Sequence, residues 1–178
     1  MTKKIVITGG PGTGKSSIIN VLTAKGYACL EEVSRQIILD AKEKGIDQLF
    51  LKDPLLFSDL LLKGRQEQFE KADTITADFV FFDRGIPDIV AYLDFTGNTY
   101  PQYFIDACQN AKYNTVFVLK PWKAIYTEDN ERYENFEQAL KIHDNLVNTY
   151  KNCNYTLIDV PFDTVENRMF FILNVLGA

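Results

Sequence analysis

Residues 9–16 read Gly-Gly-Pro-Gly-Thr-Gly-Lys-Ser: a glycine, four further residues, then Gly-Lys-Ser. The glycines let the backbone curl until several N–H groups face one anion, and a helix starting just beyond adds its partial positive charge. Lys15 is long enough to reach terminal phosphates, and the Ser16 hydroxyl is a ligand for Mg²⁺. Gly9, Gly10, Pro11, Gly12, Thr13, Gly14, Lys15, Ser16 and Ser17 are therefore the expected binding set for a nucleoside triphosphate such as ATP. Lys3-Lys4-Ile5-Val6-Ile7-Thr8 before the loop is a short β-rich run, and Ser17-Ile18-Ile19-Asn20-Val21-Leu22 after it can carry a helix. That strand–loop–helix context separates a phosphate-binding loop from a chance glycine cluster.

A triphosphate also needs a metal and a reacting partner, and candidate groups for both follow other apolar runs. Asp83 comes directly after Phe79-Val80-Phe81-Phe82 and is a candidate Mg²⁺ carboxylate with Ser16, binding directly or through water. The competing account is a polar residue that merely ends a strand. Either Glu31 or Glu32 can accept the proton of an attacking hydroxyl; alternatively they are helix N-terminal acids paired with Arg35. Arg84 and Arg35 are candidate anchors for an anionic or ribose-bearing acceptor, with surface ion pairing as the rival explanation. Arg65 is a weaker acceptor-site candidate, because its long helix has an exposed polar face in any case. A loop at Thr127-Glu128-Asp129-Asn130-Glu131-Arg132-Tyr133-Glu134 can close over the nucleotide, with Arg132 steadying charge on the transferring group. Such a charge run also suits a plain solvated surface. His143, the sole histidine, has no partner pattern and reads as structural or exposed rather than catalytic.

The elements that must position these groups alternate along the chain, as in an α/β fold around a parallel sheet. The patterning predicts strands at 27–30, 78–83, 115–119 and 155–160 after the first. It predicts helices at 31–44, 54–76, 87–95, 101–111, 135–150 and 164–176. The long helix is expected to bury Leu55, Leu56, Leu60, Leu61 and Phe69. Residues 78–83 form a continuous apolar run, as suits a strand buried on both faces. The expected result is five parallel strands in a three-layer α/β/α sandwich, one domain over residues 1–178. In open α/β sheets ligands bind beyond the carboxyl ends of the strands. Those ends here are the phosphate loop, Glu31-Glu32, Asp83-Arg84, Lys120-Pro121-Trp122 and Pro161-Phe162-Asp163.

Composition narrows the class. The 178 residues are 46% hydrophobic and 24% charged, ordinary for a soluble globular chain. A net charge of −5 argues against a nucleic-acid partner, which calls for a basic footprint. No apolar stretch approaches the roughly 20 residues of a membrane span. With the first strand beginning by residue 4, no signal peptide is expected. Cys29, Cys108 and Cys153 are widely spaced and lack metal-site spacing, as suits reduced thiols in a cytoplasm.

The segments GGPGTGKSS at 9–17, EEVSR at 31–35, FFDRGIPD at 81–88 and PWKAIYTEDNERYE at 121–134 resemble a known group. The chain looks like the small ATPases of the AAA-like P-loop family that are similar to the kinase domain of ribosylnicotinamide kinases. More distantly it resembles deoxyribonucleoside and thymidylate kinases. The resemblance covers essentially the whole chain. It implies a P-loop NTPase sheet order of 2-3-1-4-5, ATP and Mg²⁺ as cofactors, and a small-molecule acceptor. It also implies a general base or acceptor ligand at Glu32 with Glu31 adjacent, and an Asp-Arg pair at Asp83 and Arg84. The lid arginine falls on Arg132, within a lid at about 122–134, and Phe162 falls near the adenine. No counterpart of a fused adenylyltransferase domain or of the helical domain of ring-forming motors is expected. Two functions follow: phosphotransfer to a nucleoside- or nucleotide-like acceptor, or an ATPase acting as a nucleotide-dependent switch.

Overall fold

The computed structural model describes residues 2–126 and 134–178. Its centre is a five-stranded sheet in the order β2-β3-β1-β4-β5, all neighbours parallel. The strands are β1 (Lys3–Gly9), β2 (Ala28–Leu30), β3 (Phe79–Asp83), β4 (Thr115–Leu119) and β5 (Leu157–Val160). The helices are α1 (Lys15–Ala24), α2 (Ser34–Glu43), the single turn α3 (Leu49–Lys52), α4 (Pro54–Lys71), α5 (Pro87–Thr96), α6 (Tyr103–Asn110), α7 (Phe136–Asn152) and α8 (Val165–Leu176).

The two-residue period of the strands divides the core into two layers. Ile5, Ile7, Phe81, Phe117 and Leu119 point to one face and pack with Ile18, Ile19 and Leu22 of α1 and Met169 and Ile172 of α8. Val6, Val80, Phe82 and Val116 point to the other face, against α4, α5, α6 and α7. The register sets Ile7 beside Asp83 and Phe117, and Gly9 beside Leu119. The strands therefore end together, and the loops after them share one rim.

Side-chain caps fix the starts of α4, α7 and α8. Asp53 accepts from the Leu56 amide at 3.0 Å ahead of Pro54, whose missing N–H costs nothing in a first turn. Asn135 and Gln138 form a reciprocal capping box on α7. Several predicted boundaries move: the long helix expected to residue 76 ends at Lys71, and the one expected from 101 starts at Tyr103. The helix expected from residue 31 starts at Ser34, leaving Glu31 and Glu32 in a loop. The strands expected from Tyr27 and Tyr155 begin at Ala28 and Leu157. The single turn α3 is an addition.

The buried row of α4 also differs from expectation. Leu61 is buried, and Leu55 and Phe69 pack on the core, but Leu56 and Leu60 are 43% and 39% exposed. The innermost row is Ser58, Leu61, Leu62 and Arg65. Two of those four are polar, and one of them, Arg65, pairs with Glu32. Among the described residues no helix is long and apolar enough to cross a membrane.

Candidate active site at the carboxyl rim of the sheet

The phosphate loop connects β1 to α1 and is held by its own atoms. Thr13 Oγ1 donates to the Gly10 carbonyl at 3.0 Å, and Lys15 Nζ donates to the same oxygen at 2.8 Å. Gly14 caps α1 with φ +87°, in the left-handed region that favours glycine. A Cβ there would lie 2.8 Å from Arg168 Nη1. Arg168, from α8, donates through Nη2 to the Thr13 carbonyl at 2.9 Å, bracing the loop from the far side. Lys15 is buried, and its pKa is lowered to about 7, first by burial and then by the nearby Arg84 charge. An anion bound beside Lys15 would restore its charge, and the helix N-terminus that Lys15 opens favours one.

Beside the loop lies a network of buried charges. Glu32, after β2, is gripped by two guanidinium groups: Arg65 Nη2 lies 3.0 Å from Oε1, and Arg84 Nε bonds Oε2. The Ser34 amide also donates to Oε1 at 3.2 Å. Burial opposes ionisation of Glu32, but Arg65 and Arg84 outweigh it and hold the carboxyl at about 2. Arg65 is only 4% exposed and spends Nη1 on the Gly85 carbonyl at 2.9 Å. Arg84 Nη1 donates to the Gly9 carbonyl and to Asp88 Oδ1, each at 3.2 Å.

Asp88, 1% exposed, anchors this network. Its Oδ1 accepts from Thr8 Oγ1 at 2.6 Å. Its Oδ2 accepts from the Tyr150 hydroxyl at 2.6 Å and the Gly85 amide at 3.0 Å. Arg84 itself has φ +75°, a conformation costing a non-glycine residue roughly 1–3 kcal/mol. The pairs on both sides of its guanidinium hold it there. Gly85 follows because a Cβ would come within 2.6 Å of the Tyr150 hydroxyl.

The residues present fit a Mg²⁺ ion. Ser16 Oγ lies 3.5 Å from Asp83 Oδ2, and Asp83 Oδ1 is buried without a hydrogen-bond partner among the described residues. Burial raises the Asp83 pKa, against the pull of Lys15 and Arg84. A buried acceptor left open beside a hydroxyl suits a cation that takes one carboxylate, waters and phosphate oxygens.

Of the residues expected at the site, Lys15, Ser16, Glu32, Asp83, Arg84 and Arg65 converge. Glu31 and Arg35 are exposed and form no ion pair among the described residues, so the helix-capping pair expected between them does not form. The Glu31 carbonyl instead accepts from Gln68 Nε2 at 2.7 Å. Ser17 is exposed on α1. Phe162, after β5, stacks on Trp122, after β4, with centroids 5.2 Å apart and planes at 21°. Arg132 lies outside the described residues. His143 is half-buried on α7, with Nδ1 unpartnered among the described residues and its pKa lowered chiefly by burial. Sequence reasoning missed Asp88, Arg168, Thr8 and Tyr150. The one signal available was Arg168, the sole cation of α8.

A parallel sheet ordered 2-3-1-4-5, with Gly-Lys-Ser opening the helix after its central strand, defines a P-loop nucleotide-binding fold of the kinase type. Within that class, residues 4–168 match the AAA domain family, and the chain belongs to it. The fold is shared with deoxyadenosine kinase from M. mycoides, solved with dCMP and dCDP (TM-score 0.72, 19% identity, 98% of both chains covered). It is shared with thymidylate kinase from Candida albicans (TM-score 0.71, 15% identity, 99% of this chain and 91% of that one). NadR protein in complex with NR superposes with a TM-score of 0.75 at 15% identity, over 99% of this chain and 52% of NadR. No curated protein sequence matches the chain.

Proposed function

We propose that the chain is a Mg²⁺-dependent phosphotransferase moving the γ-phosphoryl group of ATP to a small nucleoside- or nucleotide-like acceptor. One observation carries this reading. Glu32, an ionised carboxylate with a pKa of about 2, shares Arg84 with the Gly9 end of the phosphate loop. A protein that only bound a triphosphate would gain nothing from an anion there, since it repels the ligand. An anion is useful for orienting a hydroxyl that attacks. The kinases that share the fold support the same reading.

In this mechanism the loop amides and Lys15 bind the β- and γ-phosphates, and Ser16 and Asp83 hold Mg²⁺. The metal supplies charge neutralisation on the phosphate oxygens. Glu32 accepts a hydrogen bond from the acceptor hydroxyl and aims it at the phosphorus. A carboxylate of such low pKa is a weak base, suited to a loose transition state in which the proton leaves late. Arg84 lies between donor and acceptor. Arg132 is assigned to charge on the transferring group from the family resemblance, and Phe162 with Trp122 to the adenine. Catalysis is then mostly positioning and electrostatics. The chain acts as one kinase domain with a lid at about 122–134.

The test is transfer of labelled γ-phosphate to nucleosides, nucleoside monophosphates and vitamin-like ribosides, beside an acceptor-free control. Labelled acceptor is expected. Hydrolysis at the same rate without any acceptor, and no labelled product, would replace this reading with a nucleotide-dependent switch.

A further inference from the structure

The cations of the acceptor side are already committed to protein groups. Arg65 is spent on Glu32 and the Gly85 carbonyl. Arg84 is spent on Glu32, Asp88 and the Gly9 carbonyl. Lys15 lies within the loop on the Gly10 carbonyl, and Arg168 braces the Thr13 carbonyl. Lys15, Arg65 and Arg84 face Glu32, Asp83 and Asp88, so the formal charges of these six side chains cancel. Among the described residues, Arg35, also expected on this rim, is exposed, where an ion pair is screened and weak.

Resting on the kinase reading above, we propose that the acceptor site selects an uncharged, hydroxyl-bearing nucleoside-type molecule against its monophosphate. A phosphate entering beside Glu32 meets an ionised carboxylate whose two partner arginines are taken. It must then break the Glu32–Arg84 pair and strand a buried charge, or sit against like charge uncompensated. A hydroxyl needs only a remaining lone pair on the carboxylate. A neutral polar side chain also packs against Arg84. Tyr92 lies under the Arg84 guanidinium, 5.6 Å from its ring centre, and burial keeps its hydroxyl protonated, with a pKa pushed up to about 12. Such a hydroxyl adds no charge to this side of the site.

The experiment uses the full chain with labelled ATP and Mg²⁺ on matched pairs: deoxyadenosine, thymidine, cytidine and nicotinamide riboside, each beside its 5′-monophosphate. Transfer to the hydroxyl member is expected to exceed transfer to the monophosphate by at least about 100-fold in kcat/KM. Equal or better transfer to the monophosphates overturns the inference while leaving the kinase reading intact. Hydrolysis with no labelled member of any pair overturns the kinase reading and this inference with it. Calorimetry on E32Q gives an independent readout. Removing the carboxylate charge frees Arg84, so the affinity for a nucleoside monophosphate should rise at least about 10-fold over the unsubstituted chain. An unchanged affinity would mean that charge balance at Glu32 does not set the selectivity.

Discussion

The two flanks of the phosphate loop are built by different physics. Toward β3 and β2 lies a fixed lattice of ion pairs and hydrogen bonds through Glu32, Arg65, Arg84, Asp88, Thr8 and Tyr150. Toward β4 and β5 lie a stacked aromatic pair, with Phe162 51% exposed, and one arginine bracing a carbonyl. The polar flank constrains position and charge, and errs expensively when a partner is lost. The aromatic flank offers surface and tolerates change. The proposed transfer would use that asymmetry: an attacking group must be aimed, whereas a base remote from the chemistry needs only to be held.

The asymmetry breaks most visibly at Arg65. Arg65→Met keeps the stem's packing but leaves Glu32 half-paired and the Gly85 carbonyl without its donor. Loss of one partner from a buried pair costs roughly 3–5 kcal/mol, read as a lower urea midpoint, with transfer lost in parallel. A cost no larger than that of a surface substitution would show that this flank is not pre-organised.

Lys15 makes the opposite comparison between stability and activity. Its buried ammonium is already disfavoured, so Lys15→Ala should leave the melting temperature unchanged or raise it. Phosphate transfer should fall roughly 10²–10³-fold, the scale of one lost donor to transition-state charge. Differential scanning fluorimetry beside the transfer assay separates the two. A large loss of stability would place Lys15 among the structural groups instead.

How far each flank was legible in sequence follows from the same contrast. The phosphate loop is one contiguous motif, so spacing alone located it, and Asp83 was visible as the acid ending an apolar strand. The strand order came from the family resemblance, because no local pattern encodes which strands are neighbours. The polar network was mostly hidden. Arg65 meets Glu32 across 33 positions, and Asp88 meets Thr8 and Tyr150 across 80 and 62. Apolar periodicity put the buried side of α4 through Leu56 and Leu60, whereas the true inner row carries Ser58 and Arg65, the latter bound to Glu32. Glu32 looked like the start of a helix because an acid favours that position; its arginine partners draw it into the loop instead.

The polar flank should also reveal itself with acid. Glu32 titrates at about 2 in the folded chain, against a reference of 4.5. Its folded pKa is depressed, so its contribution is complete above about 4.5 and is lost as pH falls toward 2. That depression corresponds to on the order of 3 kcal/mol. Urea unfolding between pH 6 and 2.5 should therefore show a shallower acid decline for E32Q than for the unsubstituted chain, from a lower starting stability. Parallel curves would show that other carboxylates carry the acid sensitivity.

The smallest effect belongs to the aromatic flank. Phe162 is half-exposed, and stacking on a base is worth about 1–3 kcal/mol. Its exposure places it at the low end, so Phe162→Ala should weaken ATP binding about 5-fold. The affinity for inorganic triphosphate, which has no base, should not change. Trp122 is the only tryptophan of the chain, and its ring lies against Phe162, so its fluorescence reports both ligands directly in the unsubstituted chain. Equal weakening of ATP and triphosphate would mean that Phe162 acts through the phosphate loop. Both flanks would then serve the phosphates, and the contrast between an aimed side and a tolerant side would fail.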